Sequence, residues 1–73
     1  MEQTHYKKWI KIGLNVAYYR KEKSLTQLEL AELCEVSRNH IQKIESGCSA
    51  SVDVFMTIAE KLEIELWKLF EFR

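Results

Sequence analysis

Residues 26–47 read TQLELAELCEVSRNHIQKIESG, and the rest of the chain is arranged around them. Thr26 followed three positions later by Glu29 is a capping-box pattern: the hydroxyl accepts from a backbone N–H in the first helical turn, and the carboxylate reaches back to the cap's own N–H. Leu28, Ala31 and Cys34 then recur at helical spacing, with Leu30 and Leu33 widening the stripe. They predict a short helix over about residues 27–34 with those side chains inward. Ser37 offers a second N-cap, and the helix it opens, about residues 38–46, has only Ile41 and Ile44 as apolar positions. The rest of that helix is Arg38, Asn39, His40, Gln42, Lys43 and Glu45. So short and polar a helix must be held by its neighbours, and it presents most of its surface outward. Gly47 ends it, where glycine adopts left-handed backbone at least cost.

Outward from this centre the periodicity continues. Residues 1–8 are polar and are expected to be frayed or weakly helical. Trp9, Ile12 or Gly13, Val16 and Tyr19 or Arg20 recur at steps of three and four, which predicts a helix over about residues 8–23. Lys21 and Lys23 lie in its last turn, where the helix dipole favours cations. Downstream, Ser51 caps a helix over about residues 52–62, with Val52, Phe55, Ile58, Ala59 and Leu62 as its stripe. A final helix over about residues 65–71 carries Leu66, Trp67, Leu69 and Phe70, and Phe72 follows it. No repeat, linker or low-complexity run interrupts the pattern. The expected architecture is therefore all-α, a compact five-helix domain over residues 9–73.

Composition agrees. The chain has 73 residues, 47% hydrophobic and 30% charged, with two glycines and no proline. Small sheet proteins need such turn-formers, so a sandwich or barrel is excluded. Eight aromatics and balanced charge are not the signature of disorder. A chain this short buries only roughly 60% of its unfolded surface and leaves no room for a catalytic pocket between two lobes. No nucleophile–base pair, metal-ligand spacing or glycine-rich phosphate loop points to an enzyme or a cofactor. His5 and His40 fall at no ligand spacing with the two cysteines. Cys34 reads as a small core residue and Cys48 as a loop thiol. No stretch approaches the ~20 apolar residues that span a bilayer, and no signal-peptide pattern is present, so a cytoplasmic location and no membrane contact are expected. Net charge is zero, yet residues 1–43 hold eight cations against five anions and residues 44–73 three against six. That polarity suits a mildly basic face and an acidic end.

Two short helices joined at Glu35–Val36, the second polar and outward-facing, make a helix-turn-helix over about residues 27–46. The major groove of B-DNA, about 12 Å wide, admits one α-helix, and the preceding helix crosses the backbone and sets its angle. Arg and Lys pair with guanine edges, and Asn and Gln with adenine edges. Arg38, Asn39, Gln42 and Lys43 supply that set, on a chain whose expected partner is double-stranded DNA.

The chain resembles the phage-repressor (Cro-type, xenobiotic-response-element) family of helix-turn-helix transcriptional regulators. The resemblance rests on Ile12-Gly13, Tyr19 to Lys23, Leu25 to Glu32, Val36-Ser37-Arg38, Ile41 to Gly47, Ile58 to Leu62 and Leu69-Phe70. It covers about residues 12–70 in register. It implies a lambda-repressor-like fold in which Arg38 and Asn39 are the leading base readers, with Gln42 and Lys43 one turn on. It also implies that Gln27 holds a phosphate near the start of its helix, with His40 and Ser46 as lesser backbone contacts. Arg20 and Glu45 match positions of an ion pair clamping the first helix to the end of the third. The chain departs from the family at Ser24, Glu35 and Glu63, where relatives usually carry glycine. Either Glu35 and Glu63 adopt left-handed backbone, at about 1 kcal/mol each, or the turn is reshaped. The loop after Gly47, usually basic, reads Cys48-Ser49-Ala50, so a shallow salt dependence is expected.

Trp67 falls where relatives carry a polar residue, and Phe72 lies nearby. An exposed apolar patch there marks a partner surface. A homodimer through Leu66, Trp67, Phe70 and Phe72 would set two recognition helices about 34 Å apart on an inverted repeat. Two other readings of the chain are the antitoxin half of a toxin–antitoxin pair, with a protein partner on that C-terminal patch, and a protein–protein adaptor that has lost DNA binding.

Overall fold

A computed structural model describes residues 5–72. Three hydroxyl side chains set where three helices begin. Thr26 Oγ1 accepts from the Glu29 N–H at 3.0 Å while the Thr26 N–H donates to Glu29 Oε1 at 2.8 Å, a complete capping box opening α2, Gln27–Cys34. Ser37 Oγ accepts from the His40 N–H at 3.0 Å and opens α3, Arg38–Glu45. Ser51 Oγ accepts from the Val54 N–H at 3.2 Å and opens α4, Val52–Leu62. The first helix, α1, spans Tyr6–Glu22 and has no side-chain cap; the N–H groups of Lys8 and Trp9 close on the His5 carbonyl. Tyr6, Lys7 and Lys8 are thus helical rather than frayed, and residues 1–4 lie outside the described residues.

The fifth element is not an α-helix. Leu66–Phe70 forms a 3₁₀ turn, with the Lys68 N–H donating to Glu65 at 3.1 Å. One of its carbonyls and one just beyond it are taken by a side chain from α1: Asn15 Nδ2 donates to Leu69 O at 3.0 Å and to Glu71 O at 2.9 Å. A five-residue segment tied across to another helix meets its backbone hydrogen-bonding needs without winding further.

The four α-helices end alike. After α1 the N–H groups of Ser24 and Leu25 return to Lys21 and Arg20; after α2 those of Glu35 and Val36 return to Glu32 and Ala31. After α3 those of Gly47 and Cys48 return to Ile44 and Lys43, and after α4 those of Glu63 and Ile64 return to Glu60 and Ala59. This is the Schellman arrangement, whose pivot residue is left-handed. The pivot is glycine only once, at Gly47 with φ 105°, while Ser24, Glu35 and Glu63 sit at φ 58°, 59° and 60°. The turns are therefore not reshaped: the chain keeps the geometry and carries the strain of a Cβ in it. Leu25, Val36 and Ile64, each following a pivot, are half-buried against the core and hold it in place. Glu35→Gly is expected to raise stability by about 0.5–1 kcal/mol, the strain relieved less the entropy glycine loses on folding. Urea denaturation measures it, and a lowered midpoint would rule out strain at that pivot.

Phe55 of α4 lies at the centre of the core, with the Trp9 ring stacked 6.0 Å away and the Phe70 ring edge-on at 5.5 Å. Around it pack Ile12 and Val16 from α1, Leu30, Ala31 and Cys34 from α2, Ile41 and Ile44 from α3, Ile58 and Leu62 from α4, and Leu69. Three residues expected to be inward are exposed: Leu28, Leu33 and Val52. On α2 the buried arc is defined by Leu30, Ala31 and Cys34, and steps of 100° per residue put Leu28 and Leu33 on its two flanks. Val52 is the first residue of α4 and precedes the turn that reaches the core. Burial pushes the Cys34 thiol up from its ordinary value despite the nearby Lys61, as befits an inert core sulfur. Lys23 pairs with the exposed Glu63 carboxylate, joining the ends of α1 and α4 and holding that carboxyl below its usual range. Among the described residues no helix is long and apolar enough to cross a membrane, and no cluster of His, Cys, Asp or Glu could hold a metal.

Candidate nucleic-acid interface

Two isoleucines decide which way α3 faces. Ile41 and Ile44 are fully buried, and at 100° per residue this turns Arg38, Gln42, Asn39 and Lys43 outward over an arc of about 140°. All four are exposed. The arc carries two cations and two amides, able to donate to or accept from base edges. His40 lies nearer the core side and is half-buried, and the Ser46 hydroxyl folds back to donate to the Gln42 carbonyl at 2.9 Å.

The helix is held at both ends. Ser37 caps its start, and its last residue, Glu45, anchors a three-helix network. Arg20 of α1 donates from Nε to Glu45 Oε2 at 2.6 Å and from a terminal nitrogen to Oε1 at 3.0 Å, a bidentate pair with both side chains about one-tenth exposed or less. Its other terminal nitrogen donates to the Leu25 carbonyl at 2.6 Å, in the turn between α1 and α2. The expected clamp between Arg20 and Glu45 is therefore present, and it reaches further than the resemblance implied. Gln27 Nε2, at the start of α2, donates to Glu45 Oε1 at 2.9 Å. One N–H of that amide is committed to the carboxylate, and the amide group has a second. Among the described residues no buried side-chain nitrogen or oxygen lacks a partner.

A second contact between α1 and α3 is made by backbone alone. Gly13 lies where a Cβ would come 2.4 Å from the Ile44 carbonyl oxygen and 2.7 Å from that of Glu45. Only a residue without a side chain lets α1 seat directly on the last turn of α3.

The C-terminal residues divide. Leu66 and Phe70 are half-buried against the core, whereas Trp67 and Phe72 are exposed. Sequence reasoning missed the Gln27–Glu45 hydrogen bond and the Asn15 clamp. For Asn15 a signal existed, since a polar residue three positions after Ile12 falls in a buried register. For Gln27 there was none, because its partner lies eighteen residues away.

Comparisons with known proteins agree with this geometry. A helix-turn-helix family model matches residues 16–66. The restriction-modification controller protein C.AhdI from Aeromonas hydrophila superposes with a TM-score of 0.88 at 30% identity, over 93% of this chain and 100% of that one. The biofilm master regulator SinR, solved in complex with DNA, superposes with a TM-score of 0.78 at 27% identity, over 82% of this chain and 98% of that one. The antitoxin PezA of Streptococcus pneumoniae is 37% identical over 54 residues, 73% of this chain, and the chain spans about a third (34%) of that relative's length. With a family model covering residues 16–66 and the helices in matching order, the chain belongs to the helix-turn-helix family.

Proposed function

We propose that the chain is a sequence-specific DNA-binding transcriptional regulator, acting as a homodimer on a short inverted repeat. The observation that carries this reading is the outward arc of Arg38, Asn39, Gln42 and Lys43 on a helix locked at both ends. Preorganised side chains lose little entropy when they meet base edges, and each good bidentate contact discriminates by about 1–3 kcal/mol. The start of α2 takes a phosphate, received by the free N–H of the Gln27 amide and the backbone there. His40 and Ser46 are second-rank backbone contacts, since one is half-buried and the other's hydroxyl proton is engaged.

Selection from a random duplex library at near-cellular salt should enrich a palindrome. Arg38→Ala should then cost about 1–3 kcal/mol in affinity and relax one base position. Indistinguishable titration curves for the enriched and a scrambled duplex would overturn the reading. A second reading is favoured by the similarity to PezA: an antitoxin whose exposed C-terminal residues, Trp67 and Phe72, hold a protein partner. A palindrome bound without any partner, with unaltered Trp67 needed only for self-association, would decide against it.

A further inference from the structure

The outward side of α1 is a surface that the DNA-reading arc leaves unused. Turning by 100° per residue, Lys7, Lys11, Leu14 and Tyr18 fall within one narrow strip. Leu14 is 60% exposed and Tyr18 49%, a cost that a solvent-facing helix does not need. Beside this strip Asn15, itself buried, holds the carbonyls of Leu69 and Glu71 and pins the end of the chain against α1. Glu71 thereby lines one shallow groove together with Lys11, Leu14, Asn15 and Tyr18, and the next residue, Phe72, is 45% exposed.

We propose that this groove is the centre of the dimer interface and that its occupant is the same groove of a second copy. The charge pattern selects that occupant. A two-fold contact apposes a patch with itself, so a patch of one sign repels its image. This groove has an apolar floor, a cation from α1 and an anion from the tail. A two-fold axis through Leu14 sets Lys11 of one copy against Glu71 of the partner subunit, and the converse. A net charge of zero removes long-range repulsion between copies. The inference rests on the homodimer proposed above, and it moves the centre of the interface from the C-terminal turn to α1, leaving Trp67 outside that centre.

The test is sedimentation equilibrium on the full chain, with circular dichroism to verify folding. Leu14→Lys should weaken self-association more than about tenfold, the loss typical of a central apolar contact. Lys11→Glu and Glu71→Lys should each weaken it as well, since each change places like charges together twice. An equimolar mixture of those two variants should recover dimers, because both contacts are then of opposite sign. A pairing within one chain cannot be restored by mixing. Dimers of Leu14→Lys as tight as the parent's, or a mixture no tighter than its components, would overturn the inference. If Trp67→Lys alone dissociates the dimer, the groove is excluded while the homodimer stands. If the parent chain stays monomeric both free and on the enriched palindrome, the homodimer reading falls with it.

Discussion

Glu45→Ala is expected to remove about 3–5 kcal/mol of folding stability. Arg20 is buried, and all but one of its hydrogen bonds go to that carboxylate. Deleting the acid leaves a guanidinium with no counter-charge and only the Leu25 carbonyl to satisfy it, and a buried charge orphaned from one side carries a penalty of this order. The same change frees Gln27, so α2 loses its side-chain link to the end of α3. At about 0.05–0.15 kcal/mol per residue, a domain of this size has only about 4–11 kcal/mol in total. The variant should melt about 12–40 °C lower, on the scale of about 4–8 °C per kcal/mol for small domains. Glu45→Gln keeps the shape and an acceptor and should lie between. A melting temperature unaltered in Glu45→Ala would mean that the pair contributes nothing net.

Gly13→Ala is the second large effect, and here two terms oppose each other. Alanine inside a helix is ordinarily favoured over glycine by about 1 kcal/mol. At this position the added methyl would stand 2.4 Å from one carbonyl oxygen and 2.7 Å from another, both backbone atoms that cannot rotate aside. Overpacking against rigid neighbours costs about 1–3 kcal/mol and sometimes more, and the separation lies so far inside van der Waals contact that the upper end applies. The net expectation is a loss of about 2 kcal/mol. Affinity for the enriched duplex should fall beyond what lost folding explains, because α1 and α3 must part. Thermal denaturation and duplex titration at a temperature where the variant is folded separate the two. Any gain in stability would show that the helices do not meet as closely as described.

Both predictions concern contacts of different legibility. The helix starts were readable because capping is local chemistry: Thr26, Ser37 and Ser51 each sit one residue before the helix they open. The start of α1 was misread, since no side chain caps it and the chain reaches Tyr6 on backbone bonds alone. Arg20 and Glu45 were legible only through resemblance, as nothing in the spacing of residues twenty-five apart requires them to meet. Leu28, Leu33 and Val52 misled because leucine and valine fit a stripe by type, while burial depends on where neighbouring helices lie. The four outward side chains of α3 followed from the two isoleucines, a pattern short enough to read. The fate of Glu35 and Glu63 could not be read at all, because strained and reshaped turns suit the same residues. At each terminus two N–H groups return to carbonyls of the last helical turn across a left-handed pivot, and that pairing decided in favour of strain.

The direct seating of α1 on α3 limits how such a protein can diversify. Where two helices are spaced by side chains, a longer or shorter residue retunes their angle in small increments. At Gly13 no spacer remains to be trimmed, and any addition is a collision. The pitch of α3, the reading helix of the function proposed above, is therefore set by covalent dimensions that mutation cannot adjust gradually. On that proposal, new operator preferences come from swapping the outward letters of α3 on an unmoving platform, so descendants should differ in which bases they favour while approaching the duplex at one common angle.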